Sequence, residues 1–523
     1  RTGARRGRPT TVGNRRAKLV GAGLILSLAV LSLPALAQVP SSEEPGQLSG
    51  RFSQPVAPKA MPNGHIQLPA VIAPDSASSI TLKLKAVEIV GNSVYAKGEL
   101  ATLFAGLIGK TVSLADVYAL AQAITARYGK DGYVLSRAIV PPQDIDPKHA
   151  SVKIQVIEAY VDDVVWPAEF ATYRDLFSEY AKKITAERPT NIKTVRRYLL
   201  LAGDLPGIDI TSRFQASKTN PNASTLVVAA TEKPVDAMVE VDNRGTEARG
   251  PYQFLVSGTF NNLVHQHEAL TATFAGTAQL SELQYAALNY HQVLTSEGLT
   301  VFADTSYSQG APGTAPLQAL NFNTQSLTGD IGLSYPVIRS REENVTLSAL
   351  AFFSDNEGEM LGAPSSDDKL RGVRVKADFD YADNKDGIPP LRPPLRHSRE
   401  GLGSTQNGSL LASRENGRVD FTTLDASINR TQGLGKGWSL FGAASTQYAF
   451  TPLLSPEECG YGGKDFGRAF DPSELTGDSC VSVSGEVRFD PTIPNNPLTQ
   501  TQLYGFVDYG KVFRIAPSAG TPT

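Results

Sequence analysis

From about Val235 onward the chain carries no helical period. It is written instead as segments of about ten residues, apolar and polar in alternation, cut by clusters of Gly, Asn, Asp and Ser. Tyr252–Phe260, Ala269–Gly276, Thr300–Tyr307, Val345–Phe353, Val373–Tyr381 and Trp438–Tyr448 are clear examples, and about thirteen such strands fit before the chain stops. The Pro-rich segment Pro394–Gly403 is the weakest of them. Strands in that number must close on one another, either as a soluble sandwich or as the wall of a barrel.

Segment length favours the barrel. Trp438 and Tyr448 share one face, and at ~3.3 Å per residue and a tilt near 45° they are separated by roughly 23 Å along a membrane normal, the spacing of two aromatic girdles. In Cys480–Phe489 the residues Val481, Val483, Val487 and Phe489 form one face, and Ser482, Ser484, Glu486 and Arg488 the other. A carboxylate and a guanidinium facing lipid are costly, so that polar face should line a wet lumen. Only 19% of residues are charged, Trp and Met are scarce, and Gly (46), Tyr (18) and Phe (21) are plentiful. This composition suits many strands joined by Gly-rich turns.

The N-terminus reads as an export signal. Arg15, Arg16 and Lys18 flank an uncharged apolar run, Leu19 to Leu33, followed by Ala35-Leu36-Ala37. An uncleaved anchor is the alternative, but the run is short and Pro34 ends it. Cleavage after residue 37 would leave 42 basic against 52 acidic residues, a net charge of −10, which argues against nucleic-acid binding. No later run is apolar enough for a membrane helix. An exported chain of this kind is soluble or a barrel.

Between signal and barrel the pattern changes twice. Residues 38–78 are rich in Pro, Ser and Ala and read as a linker that could hold a short plug helix. Residues 79–160 read as one small β-α-α-β-β domain. It has a strand at Leu82–Lys85, a helix near Lys97–Leu107, and a second helix capped by Ser113 with Asp116 in its first turn. That helix carries Leu114, Val117, Ala121, Ile124 and Tyr128 on one face and is stopped by Gly129 and Gly132. Strands at Arg137–Val140 and Ser151–Val161 complete it. Residues 161–233 repeat the order. Asp162–Val165 is a strand, Phe170–Ala186 a helix, and Thr190 or Asn191 caps a second helix ending at Gly203. Strands at Ile208–Gln215 and Thr225–Thr231 follow. The barrel then occupies 234–523.

Enzyme signatures are missing. His265-Gln266-His267 has no further ligand nearby for a metal, Gly460–Lys464 lacks phosphate-loop spacing, and protease motifs are absent. No catalytic residue, metal or cofactor is expected. Cys459 and Cys480 would lie in an oxidising compartment, either as a disulfide or as two free thiols.

Three stretches within Leu82–Lys511 resemble one family. Val241-Asp242-Asn243-Arg244-Gly245 looks like its first barrel strand and exit. Gly467-Arg468-Ala469-Phe470-Asp471-Pro472 looks like the tip of its long sixth extracellular loop, and Phe506-Val507-Asp508-Tyr509-Gly510 like its Phe-x-Asp-x-Gly strand motif. The family is the two-partner-secretion outer-membrane transporters, of the hemolysin activator and filamentous-hemagglutinin transporter type. The resemblance implies an α+β periplasmic part, two βααββ polypeptide-transport-associated (POTRA) domains, followed by an all-β transmembrane antiparallel barrel. The family's barrel has sixteen strands. Three would follow the Asp508 strand, so the sequence as written looks truncated and its barrel cannot close.

The implied function is to recognise and export, with activation as a further option, one large secreted exoprotein bearing an N-terminal secretion domain. A barrel-assembly insertase of the same superfamily and a diffusion porin with accessory domains are the alternatives. Implied partners are that exoprotein, outer-membrane lipid, periplasmic chaperones and the barrel assembly machinery, with no nucleic acid. The loop is implied to fold into the lumen so that Arg468 meets Asp508. Alternation agrees, since Leu503, Val507 and Tyr509 share one face and Tyr504 and Asp508 the other. The family prefers Val before the Arg and Gly after it; here Gly467 and Ala469 stand there, and Ala469 would be strained if its backbone angle must be positive. A Cys459–Cys480 bond would fasten the base of this loop. The periplasmic sheets offer edges to which an unfolded partner could add a strand.

Overall fold

The computed structural model describes residues 43–44, 46–47, 49–52, 59, 72–96, 98–382, 390–392, 394–492 and 501–515. The expected signal peptide and most of the linker lie outside the described residues.

The first module comprises β1 (Thr81–Val90), β2 (Thr111–Ser113), α1 (Leu114–Lys130), β3 (Arg137–Ile139) and β4 (Ala150–Ile157). Its sheet runs β2-β1-β4-β3, with β1 parallel to β4. A capping box starts α1: Ser113 Oγ accepts from the Asp116 N–H at 3.2 Å while Asp116 Oδ2 accepts from the Ser113 N–H at 2.7 Å. One helix face, Val117, Leu120, Ala121, Ile124 and Tyr128, packs on Leu82, Leu84, Val152 and Ile154, and all are buried.

Two expectations need correction here. The helix expected at Lys97–Leu107 is not an α-helix but two 3₁₀ turns, Glu99–Leu103 and Ala105–Leu107. Gly98 enters at φ +101° with no capping side chain, and Gly106 sits where helix propagation would be needed. The strand expected across Ser151–Val161 breaks after Ile157. There the Glu158 carboxylate accepts from Ser93 N (2.7 Å), Val94 N (3.0 Å) and Tyr128 Oη (2.6 Å). Burial alone would raise the Glu158 carboxyl, but the hydrogen bonds from Ser93, Tyr128 and the Ser93 and Val94 backbone hold it below its ordinary value.

The second module comprises β5 (Tyr160–Val165), α2 (Arg174–Ala186), α3 (Ile192–Gly203), β6 (Ile208–Ala216) and β7 (Ala223–Glu232), with sheet order β5-β7-β6. The helix expected from Phe170 opens as a 3₁₀ turn, Ala171–Tyr173, ahead of α2. Asn191 rather than Thr190 caps α3, accepting from Lys193 N at 3.0 Å, and its amide also donates to Asp131 O in the first module at 3.0 Å. Its core joins Val161, Tyr173, Phe177, Tyr180, Ile184 and Leu226.

The third sheet begins with β8 (Val235–Asp242), β9 (Gln253–Asn261), β10 (Glu268–Thr277), β11 (Gln284–Val293) and β12 (Thr300–Gly310). After the short α4 (Ala315–Ala319) come β13 (Asn323–Arg339), β14 (Glu343–Met360), β15 (Ala363–Tyr381), β16 (Pro390–Arg392), β17 (Pro394–Ser398), β18 (Thr422–Gly435) and β19 (Trp438–Ala449). A separate hairpin, β20 (Cys459–Tyr461) with β21 (Leu475–Gly477), precedes β22 (Ser479–Phe489) and β23 (Leu503–Phe513). Pairing is antiparallel throughout. β16 and β17 share one position between β15 and β18, so the fourteen strands occupy thirteen places. The strand expected to Gly403 ends at Ser398.

Register sorts the side chains. Leu333, Ala349, Val375, Leu395, Leu424 and Tyr448 lie opposite one another across six neighbouring strands. All but Ala349 are large, exposed hydrophobics. The adjacent row, Gly332, Leu350, Arg374, Arg396 and Thr423, faces inward. Outward apolar rows beside inward charged ones are what lipid outside and water inside require. Trp438 and Tyr448 are 47% and 57% exposed on the outer face. Among the described residues no helix is long and apolar enough to cross a membrane.

The second module is clasped to the turns at one end of the strand wall. Glu297, between β11 and β12, accepts from Lys183 Nζ (3.0 Å), Tyr198 Oη (2.9 Å) and Arg197 Nη2 (3.3 Å). Arg339 forks onto Asp204, at 2.7 and 2.9 Å.

Candidate functional site: the lumenal loop

The loop between β19 and β22 turns back into the lumen as the β20–β21 hairpin. A disulfide joins Cys459 to Cys480, with Cα atoms 6.2 Å apart. Asp478, fully buried at the loop base, accepts from Arg414 Nη1 (2.6 Å), Leu453 N (2.7 Å) and Ile515 N (2.7 Å). The loop therefore enters on a fixed stem.

At the tip, Arg468 meets Asp508. The backbone N–H groups of Gly467 and Arg468 both donate to Asp508 Oδ2 at 3.1 Å. Arg468 Nε donates to the same oxygen at 3.0 Å, and Nη2 to Oδ1 at 2.8 Å. The rest of the guanidinium is also engaged. Nη2 reaches Ser484 Oγ at 2.8 Å, Nη1 pairs with Glu486, and the group lies 3.9 Å from the ring centroid of Phe506. Glu486 pairs in addition with Arg488. Strand alternation places these partners: Ser484 and Asp508 face each other in the β22–β23 register, as do Glu486 and Phe506.

The other tip residues behave differently. Ala469, Phe470 and Asp471 are exposed. The positive backbone angle falls on Gly467, at φ +74°, and not on Ala469. The expected strain at Ala469 is thereby removed, because Gly467, two positions earlier, takes the left-handed conformation of the turn. Gly510 has a separate reason to be Gly. A Cβ there would lie 2.0 Å from Cδ2 of Tyr461, whose ring also sits against Gly467. No local pattern marks Tyr461, whose importance depends on the approach of the loop to the strand.

A second lumenal element comes from the linker, where the sequence leaves room for a short plug helix. Part of the linker lies inside the barrel: Ser49–Phe52 forms a 3₁₀ turn and Phe52 packs on Tyr285, with ring centroids 4.9 Å apart. Gln47 donates to the carbonyls of Ser455 (2.7 Å) and Glu458 (3.1 Å). Glu43 pairs with Arg249 at 2.5 Å, and both are fully buried. The segment shares a cavity of about 670 Å³ with wall residues that include Asp330, Arg374 and Arg396. Arg374 pairs with Asp330 (3.5 Å), and Arg396 with Glu457 (3.2 Å).

Periplasmic modules, a strand wall with an apolar exterior and charged interior, and a loop pinned within it define an outer-membrane protein transporter. The comparisons agree. Residues 82–159 match the ShlB-type POTRA domain. Residues 223–522 match the haemolysin secretion/activation protein ShlB/FhaC/HecB model, and the chain belongs to that family. The heme/hemopexin transporter protein HuxB of Haemophilus influenzae (strain 86-028NP) is 25% identical over 515 residues, spanning 96% of this chain and 88% of that one. Two solved structures share the fold. CdiB from Escherichia coli has TM-score 0.64 at 16% identity, covering 85% of this chain and 88% of its own. CdiB from Acinetobacter baumannii has TM-score 0.57 at 16% identity, covering 91% and 87%. The chain is thus a two-partner-secretion transporter of the outer membrane with periplasmic POTRA structure, and it exports an exoprotein. The insertase and diffusion-porin alternatives are not favoured.

Proposed function

We propose that the exported partner is received as an extended chain along β6 of the second module and passed through the lumen beside a loop tip that Arg468 and Asp508 hold in register. The observation that carries the docking step is a difference between the two periplasmic sheets. The first sheet is edged by β2 and β3, three residues each. The second is edged on one side by β6, nine residues long and exposed along Thr211–Gln215 except for the partners it has in β7. Short edges are poor templates for strand addition, whereas a long one offers a row of main-chain groups. β6 also starts beside the barrel, since Gly207 lies against Asn261 at the end of β9.

Pairing through main-chain groups tolerates varied sequence, which suits a carrier for a long polypeptide. The exposed stretch of β6, Thr211–Gln215, carries Thr, Ser, Arg and Gln, with Phe214 as its one apolar contact. Two single substitutions test the step. Thr211→Pro and Ser212→Pro fall on opposite phases of the strand, so one removes an N–H directed away from β7 and the other a ladder N–H. The outward one should abolish partner export while the barrel remains inserted. Normal export in a folded variant of that phase refutes docking on β6. Deleting residues 82–160 should likewise leave the barrel in the membrane and stop export.

A further inference from the structure

Arg249 is the largest fully buried side chain of the protein among the described residues. It lies in the loop after β8, at the end of the lumen opposite the periplasmic modules. The barrel itself holds the guanidinium: Nη1 donates to Glu282 O at 3.1 Å, and Nη2 to Thr324 Oγ1 at 2.8 Å. Gly310 leaves room for it, because a Cβ there would lie 2.6 Å from Nη1. The remaining face is closed by a carboxylate from elsewhere in the chain. Arg249 Nε donates to Glu43 Oε2 at 2.5 Å, Thr246 Oγ1 donates to Glu43 Oε1 at 3.0 Å, and the Arg249 N–H orients Thr246 by donating to its Oγ1 at 3.0 Å.

Glu43 belongs to the N-terminal segment that occupies the lumen. That segment and an extended polypeptide compete for the same space, so the segment must withdraw for export. Withdrawal would open that face and leave Arg249 without its carboxylate while Glu282 O and Thr324 still hold it in place. Stranding one member of such a pair is costly. A guanidinium held by fixed acceptors is prepared for another carboxylate.

We propose that Arg249 and Thr246 form a carboxylate-binding subsite on the export path, filled at rest by Glu43 and, during export, by acidic side chains of the passing polypeptide. This rests on the lumen being that path. The subsite makes withdrawal of the segment reversible: each acidic side chain that arrives replaces Glu43, and Glu43 returns when the chain has passed.

The test uses the full chain in planar bilayers with no exported partner present. Glu43→Gln vacates the subsite, and deletion of residues 43–52 vacates it even if the substituted segment stays seated. The probe is a short Gly/Ser peptide bearing one glutamate, compared with its glutamine counterpart. In either background the glutamate peptide should block the current at roughly tenfold lower concentration, the difference made by a charge-assisted hydrogen bond. Adding Arg249→Gln should erase that difference, and Arg249→Lys, which keeps the charge but not the fork, should reduce it. Equal block by both peptides, or a preference that survives in an assembled Arg249 variant, overturns the subsite. Export in cells is scored separately, so failure of the export path and failure of the subsite give different results.

Discussion

Arg468 donates to one carboxylate, that of Asp508, from both its backbone and its guanidinium, across 40 positions of sequence. Three donors on one oxygen, two of them backbone, fix the position of the loop tip as well as its charge. Removing one partner of such a pair strands the other, so Asp508→Asn should shift the balance between seated and released tip by roughly a hundredfold. Protease sensitivity of the loop and export of the partner into the medium would both register it. Exchange of the two residues, Arg468→Asp with Asp508→Arg, should restore only part of the export. Glu486 also faces Arg468, and the exchange sets two carboxylates against each other. Adding Glu486→Gln should extend the rescue. Unaltered export in every variant would remove the pair from the mechanism.

Gly510 and Tyr461 make a steric prediction independent of charge. A methyl group at Gly510 would overlap the Tyr461 ring, so Gly510→Ala should unseat the loop although Asp508 and Arg468 are intact. Overpacking of this kind typically costs about 1–3 kcal/mol. Tyr461→Ala should relieve it, giving a double variant that exports better than Gly510→Ala alone. A Gly510→Ala protein with wild-type loop protection would show that the ring moves aside freely.

How far the sequence reveals this site depends on how local each cause is. Asp508 facing the lumen follows from alternation in one strand, and so does the wet face carrying Ser484 and Glu486. The capping box at Ser113 and Asp116 is equally local. Gly467 is harder: the turn needs one left-handed residue, and motif position pointed to 469 while the chain supplies it at 467. At 99–107 the apolar spacing fits an α-helix and 3₁₀ turns alike, and Gly98 and Gly106 decide for the turns. Arg249 with Glu43 leaves no trace in sequence, being a pair 206 positions apart in stretches without period. Contacts of that kind are set by the tertiary path of the chain alone.

The clasp between the second module and the barrel should loosen in acid. Burial alone would raise the Glu297 carboxyl, but hydrogen bonds from Lys183, Tyr198 and Arg197 outweigh it and hold the group below its ordinary value of 4.5. A carboxyl depressed by folding contributes stability that is complete above that ordinary value and is lost as the pH falls through the depressed one. Hydrogen exchange in α3 should therefore stay slow from neutral pH down to about 5 and quicken below 4.5, after correction for the intrinsic exchange rate. Glu297→Gln should exchange faster at neutral pH and lose most of this acid dependence. The same acid response in the variant would assign it to another group.

The disulfide makes the last prediction. Cys459 and Cys480 are separated by 21 positions, and the loop they close contains Arg468. Closing a loop of that length is worth about 3 kcal/mol on chain-entropy grounds. That stabilisation acts on the loop and not on the strand wall, because the wall is held by its own ladders, and Arg414 with Asp478 still ties the stem when the bond is gone. Replacing both cysteines with serine, or adding a reductant that reaches the lumen, should expose residues 462–474 to protease. Heat-modifiable migration of the folded barrel should be unchanged. Arg468 then holds the tip alone, so combining the cysteine replacements with Asp508→Asn should release the loop more than either change does singly. If reduction instead destabilised the wall and left the loop protected, the bond would be a staple of β22 and the tip would owe its position to Arg468 and Tyr461.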